Sequence, residues 1–125
     1  MNVLVDSCGW IEYFGEGPLA DKYEPYAAKA SRDTHYSSVI VLYEVFKRMS
    51  ELGEKKALEA CSLIAASTNV IPVDEKVALS AADLSMKHGL SMADAIIKAT
   101  ANLCRAKVVT SDEHLGKLKG VQFIR

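Results

Sequence analysis

The spacing of apolar residues changes period repeatedly along the chain, and each change marks an element. "NVLV", Asn2 to Val5, is a short β-rich run closed by an acid and predicts a strand. "SCGWIEYF" reads as one or two helical turns. "GEGP" breaks the pattern, and "PLADKYEPYAAKA" resumes as a helix, with Pro18 in its first turn and Pro25 as a kink. "DTHYSS" predicts a second short strand. From Ser38 to Leu52, "SVIVLYEVFKRMSEL" is a strongly amphipathic helix that Gly53 ends. "EKKALEACSLIAAST" continues as helix and "NVIPV" as strand. Asp74 caps a helix, "EKVALSAADLSMKHG", that Gly89 stops. "LSMADAIIKATA", Leu90 to Ala101, opens a further helix running to Arg105. "KVVTS" is a strand, "DEHLGK" a helical turn and "VQFIR" a last strand.

Strands that alternate with helical segments predict an α/β sandwich around a mainly parallel sheet. No repeat, low-complexity stretch or linker divides the 125 residues, so residues 1–125 are expected to form a single domain. Half of them are hydrophobic and 25% are charged, the balance of an ordinary globular chain. The longest unbroken apolar run, Val39 to Tyr43, is too short to span a bilayer. The start of the chain has neither a basic segment nor a long apolar one, so a cytoplasmic protein without a membrane partner is expected. Cys8, Cys61 and Cys104 lack metal-type spacing and fit reduced thiols.

The net charge of −1 bears on function. A protein that grips nucleic acid with its whole surface is basic. This one needs a local basic patch, or bound cations, to hold a polyanion. The acids therefore matter most. In an open parallel sheet, chemistry sits beyond the carboxyl ends of the strands, and helix N-termini line the same edge. Asp6 follows the strand "VLV" and Asp112 follows "VVTS". Asp94 lies in the first turn of its helix, and Glu44 in the second turn of the helix after "HYSS". All four are therefore candidates for that edge. Each also has a plain structural reading. Asp6 and Asp112 can be N-caps, and Ser91 with Asp94 spells S-x-x-D, a capping box. Asp94, Lys98, Asn102 and Arg105 also form a polar stripe with a possible i,i+4 ion pair. Asp74 and Glu75 also begin a helix after a strand, and are read as caps.

The constellation says more than its members. Carboxylates that converge on one small volume repel one another and need a counter-charge. For an all-oxygen donor set that counter-charge is Mg²⁺ or Mn²⁺, as one ion or two. Such sites activate water and clamp phosphate oxygens.

Four segments, "VLVDSCGWIEYF", "SSVIVLYEVFKRM", "GLSMADAIIKATA" and "KVVTSDEHL", occur in the order and spacing of PIN domains, and the chain is most similar to the VapC-type toxins of toxin–antitoxin pairs. The resemblance covers essentially the whole chain. It implies a three-layer α/β/α sandwich and a metal-dependent ribonuclease that cleaves RNA phosphodiester bonds with a metal-activated water. It maps both the catalytic and the metal-binding positions onto Asp6, Glu44, Asp94 and Asp112, with Ser7 and Thr110 supporting them. It also implies a homodimer and a small antitoxin protein that covers the site. Ser111 departs from the family, where a basic residue is common.

Other side chains are weighed beside this set. Lys29, Arg32, Lys47, Arg48, Lys55 and Lys56 are candidate phosphate contacts or a solvated face. Trp10, Tyr13 and Phe14 can stack on bases, or form core or dimer interface. His114 is a candidate base or a structural hydrogen-bonder, and Glu113 and Asp83 are outer acids. Three alternatives compete: a PIN-fold RNA-processing nuclease outside toxin–antitoxin systems, a silent binding module on the same fold, and an aspartyl-phosphate phosphatase or receiver domain. The phosphatase expects an acid where Cys8 stands, and "THYSS" offers a receiver domain no phosphorylated aspartate.

Overall fold

The structure, a computed structural model, describes all 125 residues. The first half contains β1 (Asn2–Val5), α1 (Ser7–Phe14), α2 (Ala20–Ala27), β2 (His35–Ser38), α3 (Val39–Met49) and α4 (Glu54–Ser67). The second contains β3 (Asn69–Ile71), α5 (Glu75–His88), α6 (Met92–Leu103), β4 (Ala106–Thr110), α7 (Glu113–Gly116) and β5 (Val121–Phe123). The five strands form one sheet of order β3-β2-β1-β4-β5, and every pairing is parallel. Parallel strands need a crossover between them, and helices supply it. α1 packs on α2 and α3, and α3 on α4. α5 packs on α6, which lies against β2 and β4. The right-handed sense of such crossovers sets these two groups on opposite faces, which makes the three layers of an α/β/α sandwich.

The chain lays β1 first, steps outward to β2 and β3, then returns through α5 and α6 to add β4 on the other side of β1. The strand order therefore reverses between β1 and β4. Their register sets Val5 beside Val109, so the two chains leave the sheet side by side. Val3, Leu4, Val5, Val108 and Val109 are all buried, as expected for central strands covered on both faces. α6 is buried nearly all round, from Ala95 to Ala101. Its alanines keep it thin enough to lie close to the sheet, and a stripe of Asp94, Lys98 and Asn102 interrupts its otherwise apolar surface.

The boundaries differ from those expected where one residue overrides the pattern. Pro18 precedes α2, which starts at Ala20, whereas Pro25 does lie inside it. The amphipathic helix ends at Met49 and tightens into a 3₁₀ turn over Ser50–Leu52 before Gly53, whose φ of 117° suits glycine alone. β3 stops at Ile71, because Pro72 has no N–H for the ladder. α6 ends at Leu103, and Arg105 takes a φ of 54°, the left-handed turn that redirects the chain into β4. Lys98 does not pair with Asp94. Its ammonium donates to Asn102 Oδ1 at 2.6 Å.

Gly9 marks the tightest approach of α1 to the core. A Cβ there would lie 2.5 Å from Tyr23 Cε1 and 2.7 Å from Val5 Cγ1. Both belong to fully packed side chains, so neither yields cheaply. Gly9→Ala is expected to cost about 1–3 kcal/mol by overpacking, read as a lowered denaturant midpoint with an unchanged m-value.

Candidate active site

The crevice beyond β1 and β4 is bounded by those strand ends, by the starts of α1, α6 and α7, and by α3. Asp6 leaves β1 and caps α1, its Oδ1 accepting from the Ser7 backbone N–H at 2.7 Å. Its Oδ2 accepts from the Thr110 hydroxyl at 2.8 Å, across from the end of β4. Thr110 Oγ1 in turn accepts from the Asp112 N–H at 3.0 Å. One threonine thus fixes two acids. Asp112 caps α7, its Oδ1 accepting from the His114 N–H at 2.8 Å, with the His114 ring Nδ1 at 3.2 Å. Glu44 reaches the same place from α3, where its Oε1 accepts from the Ser7 hydroxyl at 2.9 Å. Asp94 sits in the first turn of α6, with its backbone N–H bonded to Ser91 Oγ at 3.3 Å. A carboxylate oxygen of Asp94, one of Asp112 and a ring nitrogen of His114 lie within 4.8 Å of one another.

These four acids act on one another electrostatically. Asp6 is buried, and desolvation pushes its carboxyl above the ordinary range, against the Thr110 and Ser7 hydrogen bonds and with a smaller contribution from the Asp112 charge. Desolvation also raises Glu44, to which Asp6 and Asp112 add. Asp94 is pushed up to about 6, first by desolvation and then by the charges of Asp112, Asp6 and Glu44. No lysine or arginine forms an ion pair with any of the four. Their hydrogen-bond donors are hydroxyls, N–H groups and a thiol, which orient a carboxylate without cancelling its charge.

The capping readings and the cluster hold together, since Asp6, Asp112 and Ser91 cap α1, α7 and α6 while bounding one crevice. Other expectations resolve differently. Trp10 is buried and stacks on Phe14 at 5.7 Å between centroids, with Tyr13 edge-on at 6.5 Å, and Tyr13 and Phe14 are half-buried against the core. Asp83 is exposed and pairs with Lys87 on α5. Arg32 caps carbonyls at the end of α4, and Arg48 pairs with Glu51.

Two supporting side chains were not singled out from the sequence as parts of the site. The buried Tyr23 of α2 donates its hydroxyl to Ser111 Oγ at 2.8 Å. Ser111 is thus held by a core tyrosine. Cys8 lies beneath the acids, its thiol 3.5 Å from Asp6 Oδ2 and 3.4 Å from Thr110 Oγ1. The signal for Tyr23 was its i,i+4 relation to Ala27, both buried. Nothing in the spacing tied either residue to the acids.

Comparison with known proteins places the fold. The PIN domain family profile matches residues 3–121. No curated protein sequence matches the chain. Among solved structures, a toxin–antitoxin complex from Klebsiella pneumoniae is similar at 24% identity and a TM-score of 0.78, over 97% of this chain and 96% of that one. VapC20 of Mycobacterium tuberculosis, described as a sarcin-ricin loop cleaving toxin, aligns at 16% identity and a TM-score of 0.82, over 99% and 100% of the two chains. VapBC2 of Rickettsia felis, bound to a DNA fragment from its promoter, aligns at 16% and 0.71, over 98% and 97%.

The raised Asp94 carboxyl gives stability a definite pH dependence. A carboxyl that titrates higher folded than unfolded binds more protons in the native state. Stability then falls as pH rises between the ordinary value of 3.8 and about 6. In chelator, Asp94→Asn is expected to melt above the native protein at pH 7 and to lose that advantage below pH 4. Thermal melts of both proteins across this range check the sign.

Proposed function

Because the chain belongs to the PIN domain family, we propose that it is a metal-dependent ribonuclease that hydrolyses RNA phosphodiester bonds, and that it serves as the toxin of a toxin–antitoxin pair. The observation that carries the reading is the gathering of Asp6, Glu44, Asp94 and Asp112 from distant parts of the chain, with the carboxyls of Asp6, Glu44 and Asp94 raised and no lysine or arginine paired with any of the four. An all-oxygen cluster lacking its own counter-charge suits Mg²⁺ or Mn²⁺, as one ion or two. The four carboxylates would hold it. When bound, such a cation lowers the pKa of a water and offsets phosphate charge.

The chain's own residues do the positioning. Thr110 holds Asp6 and the Asp112 backbone, and Ser7 holds Glu44. Ser91 fixes the start of α6, and with it the backbone of Asp94. The likeness of the fold to toxin–antitoxin complexes supports an antitoxin partner. An antitoxin arginine entering the crevice would make charge-assisted bonds to its carboxylates. Exposed apolar side chains on α4 and α5, Leu58, Leu63, Leu79 and Met86, support association with that partner and with a second copy of the chain. No helix is long and apolar enough to cross a membrane; a cytoplasmic toxin fits this.

Single-stranded RNA incubated with the protein is expected to be cut in Mn²⁺ or Mg²⁺ and to stay intact in chelator. Attack by water leaves 5′-phosphate and 3′-hydroxyl ends, and a 2′-deoxy residue at the scissile position does not stop it. A 2′,3′-cyclic phosphate product would refute the mechanism. Asp94→Asn is expected to lose about 100-fold or more in cleavage rate. Ser91→Ala costs about 0.5–2 kcal/mol of stability and keeps most of the activity. Light scattering at micromolar concentration is expected to give the mass of a dimer, and a strictly monomeric mass would remove the homodimer from the proposal.

A further inference from the structure

A second concavity adjoins the acid crevice and has the opposite charge. It is a cavity of about 570 Å³ between the end of α5, the outer side of α6 and the segment that follows α7. Five of its lining residues are basic: Lys98, Lys117, Lys119, His88 and His114, and no carboxylate lines it. Lys98 is the central feature. It is buried, 5% exposed, yet its ammonium has a single acceptor, Asn102 Oδ1, and lies where a Cβ on Gly120 would come within 3.2 Å. Desolvation lowers its pKa, as expected of a charge short of a counter-ion. An ammonium has three donors; two are left for a ligand. His114 belongs to both places, since it lines the cavity while its ring meets Asp112 at 3.2 Å. Lys98 stands one helical turn beyond Asp94 on the same face of α6.

We propose that this cavity is a phosphate subsite for the RNA strand, in which Lys98, Lys117 and Lys119 hold a backbone phosphate flanking the one positioned at the acids. The inference rests on the ribonuclease reading above and adds the direction in which the strand leaves the crevice, across α6 toward the end of α5. A single strand is held without sequence preference by a positive groove that follows its backbone. A chain of net charge −1 cannot offer that groove broadly, and concentrates it here. Lys98 acts as the fixed anchor. Lys117 and Lys119, on an exposed segment, close on the phosphate from the other side.

The test uses fluorescence anisotropy with a labelled single-stranded RNA of about ten nucleotides in chelator, where the strand stays intact, with Kd measured across a salt series. The variants are the double Lys117→Ala/Lys119→Ala, whose side chains carry none of the core, and Lys98→Met, checked by thermal melt. The double variant is expected to weaken binding several-fold and to flatten the slope of log K against log salt by about 0.7 for each lysine that contacts a phosphate. With Mn²⁺ it is expected to cut the oligonucleotide more slowly, while cutting a dinucleotide, which has no flanking phosphate, at the native rate. If native protein cleaves RNA while the double variant matches it in affinity, salt slope and oligonucleotide rate, the subsite is overturned and the ribonuclease stands. If the double variant instead loses affinity only for an acidic peptide such as oligoglutamate, the cavity belongs to a protein partner and the proposal also falls. If native protein neither binds nor cleaves RNA, the ribonuclease reading fails, and the subsite with it.

Discussion

Mutual repulsion among Asp6, Glu44, Asp94 and Asp112 is the constraint that the rest of the structure serves. The protein holds these charges in place with Thr110, Ser7 and backbone N–H groups, and does not neutralise them. A lysine in the crevice would have stabilised the fold and filled the site with the wrong charge. Hydroxyl donors fix positions and leave the negative potential available. Everything then depends on the register of β1 against β4. Val5 beside Val109 puts Asp6 within reach of Thr110. A slip of one residue would turn each side chain to the other face and undo the arrangement. The valines flanking the pairing are buried on both sheet faces, which opposes such a slip.

Much of the architecture is legible in the sequence because the strands are short apolar runs punctuated by polar residues. The edge that carries the acids is legible for the same reason, since an acid closing a β-rich run in a parallel sheet falls at the carboxyl end. Glu44 and Asp94 are harder to place. Each lies on a helix stripe that reads equally well as solvated surface, and only the juxtaposition of α3 and α6 brings them to the strand ends. Their roles in catalysis and metal binding belong to the proposal. Their placement belongs to the fold.

What the sequence hides is tertiary. The Tyr23 hydroxyl meets Ser111 across most of the chain length, and no local pattern announces that bond. Helical spacing allows an Asp94–Lys98 ion pair, yet Lys98 turns to Asn102. The lysine thereby lines the cavity that adjoins the acid crevice. Propensity failed at single residues: Pro72 cut a strand short, and the left-handed Arg105 ended a helix early. In the aromatic run "GWIEYF", Trp10 is buried while Tyr13 and Phe14 are half-buried against the core, and α1 is pressed onto α2 with only Gly9 between Tyr23 and the helix backbone.

The outermost strands, β3 and β5, are three residues each. An open sheet edge is a template for another chain, and proteins guard such edges by keeping them short or by breaking them with proline. β3 is followed at once by Pro72. Both borders are short, which disfavours the recruitment of a further strand. Assembly is left to the helices, whose exposed leucines and methionines can pack and part without touching the hydrogen-bonded frame. A protein that docked on those helices would leave the strand ends that hold the acids in alignment.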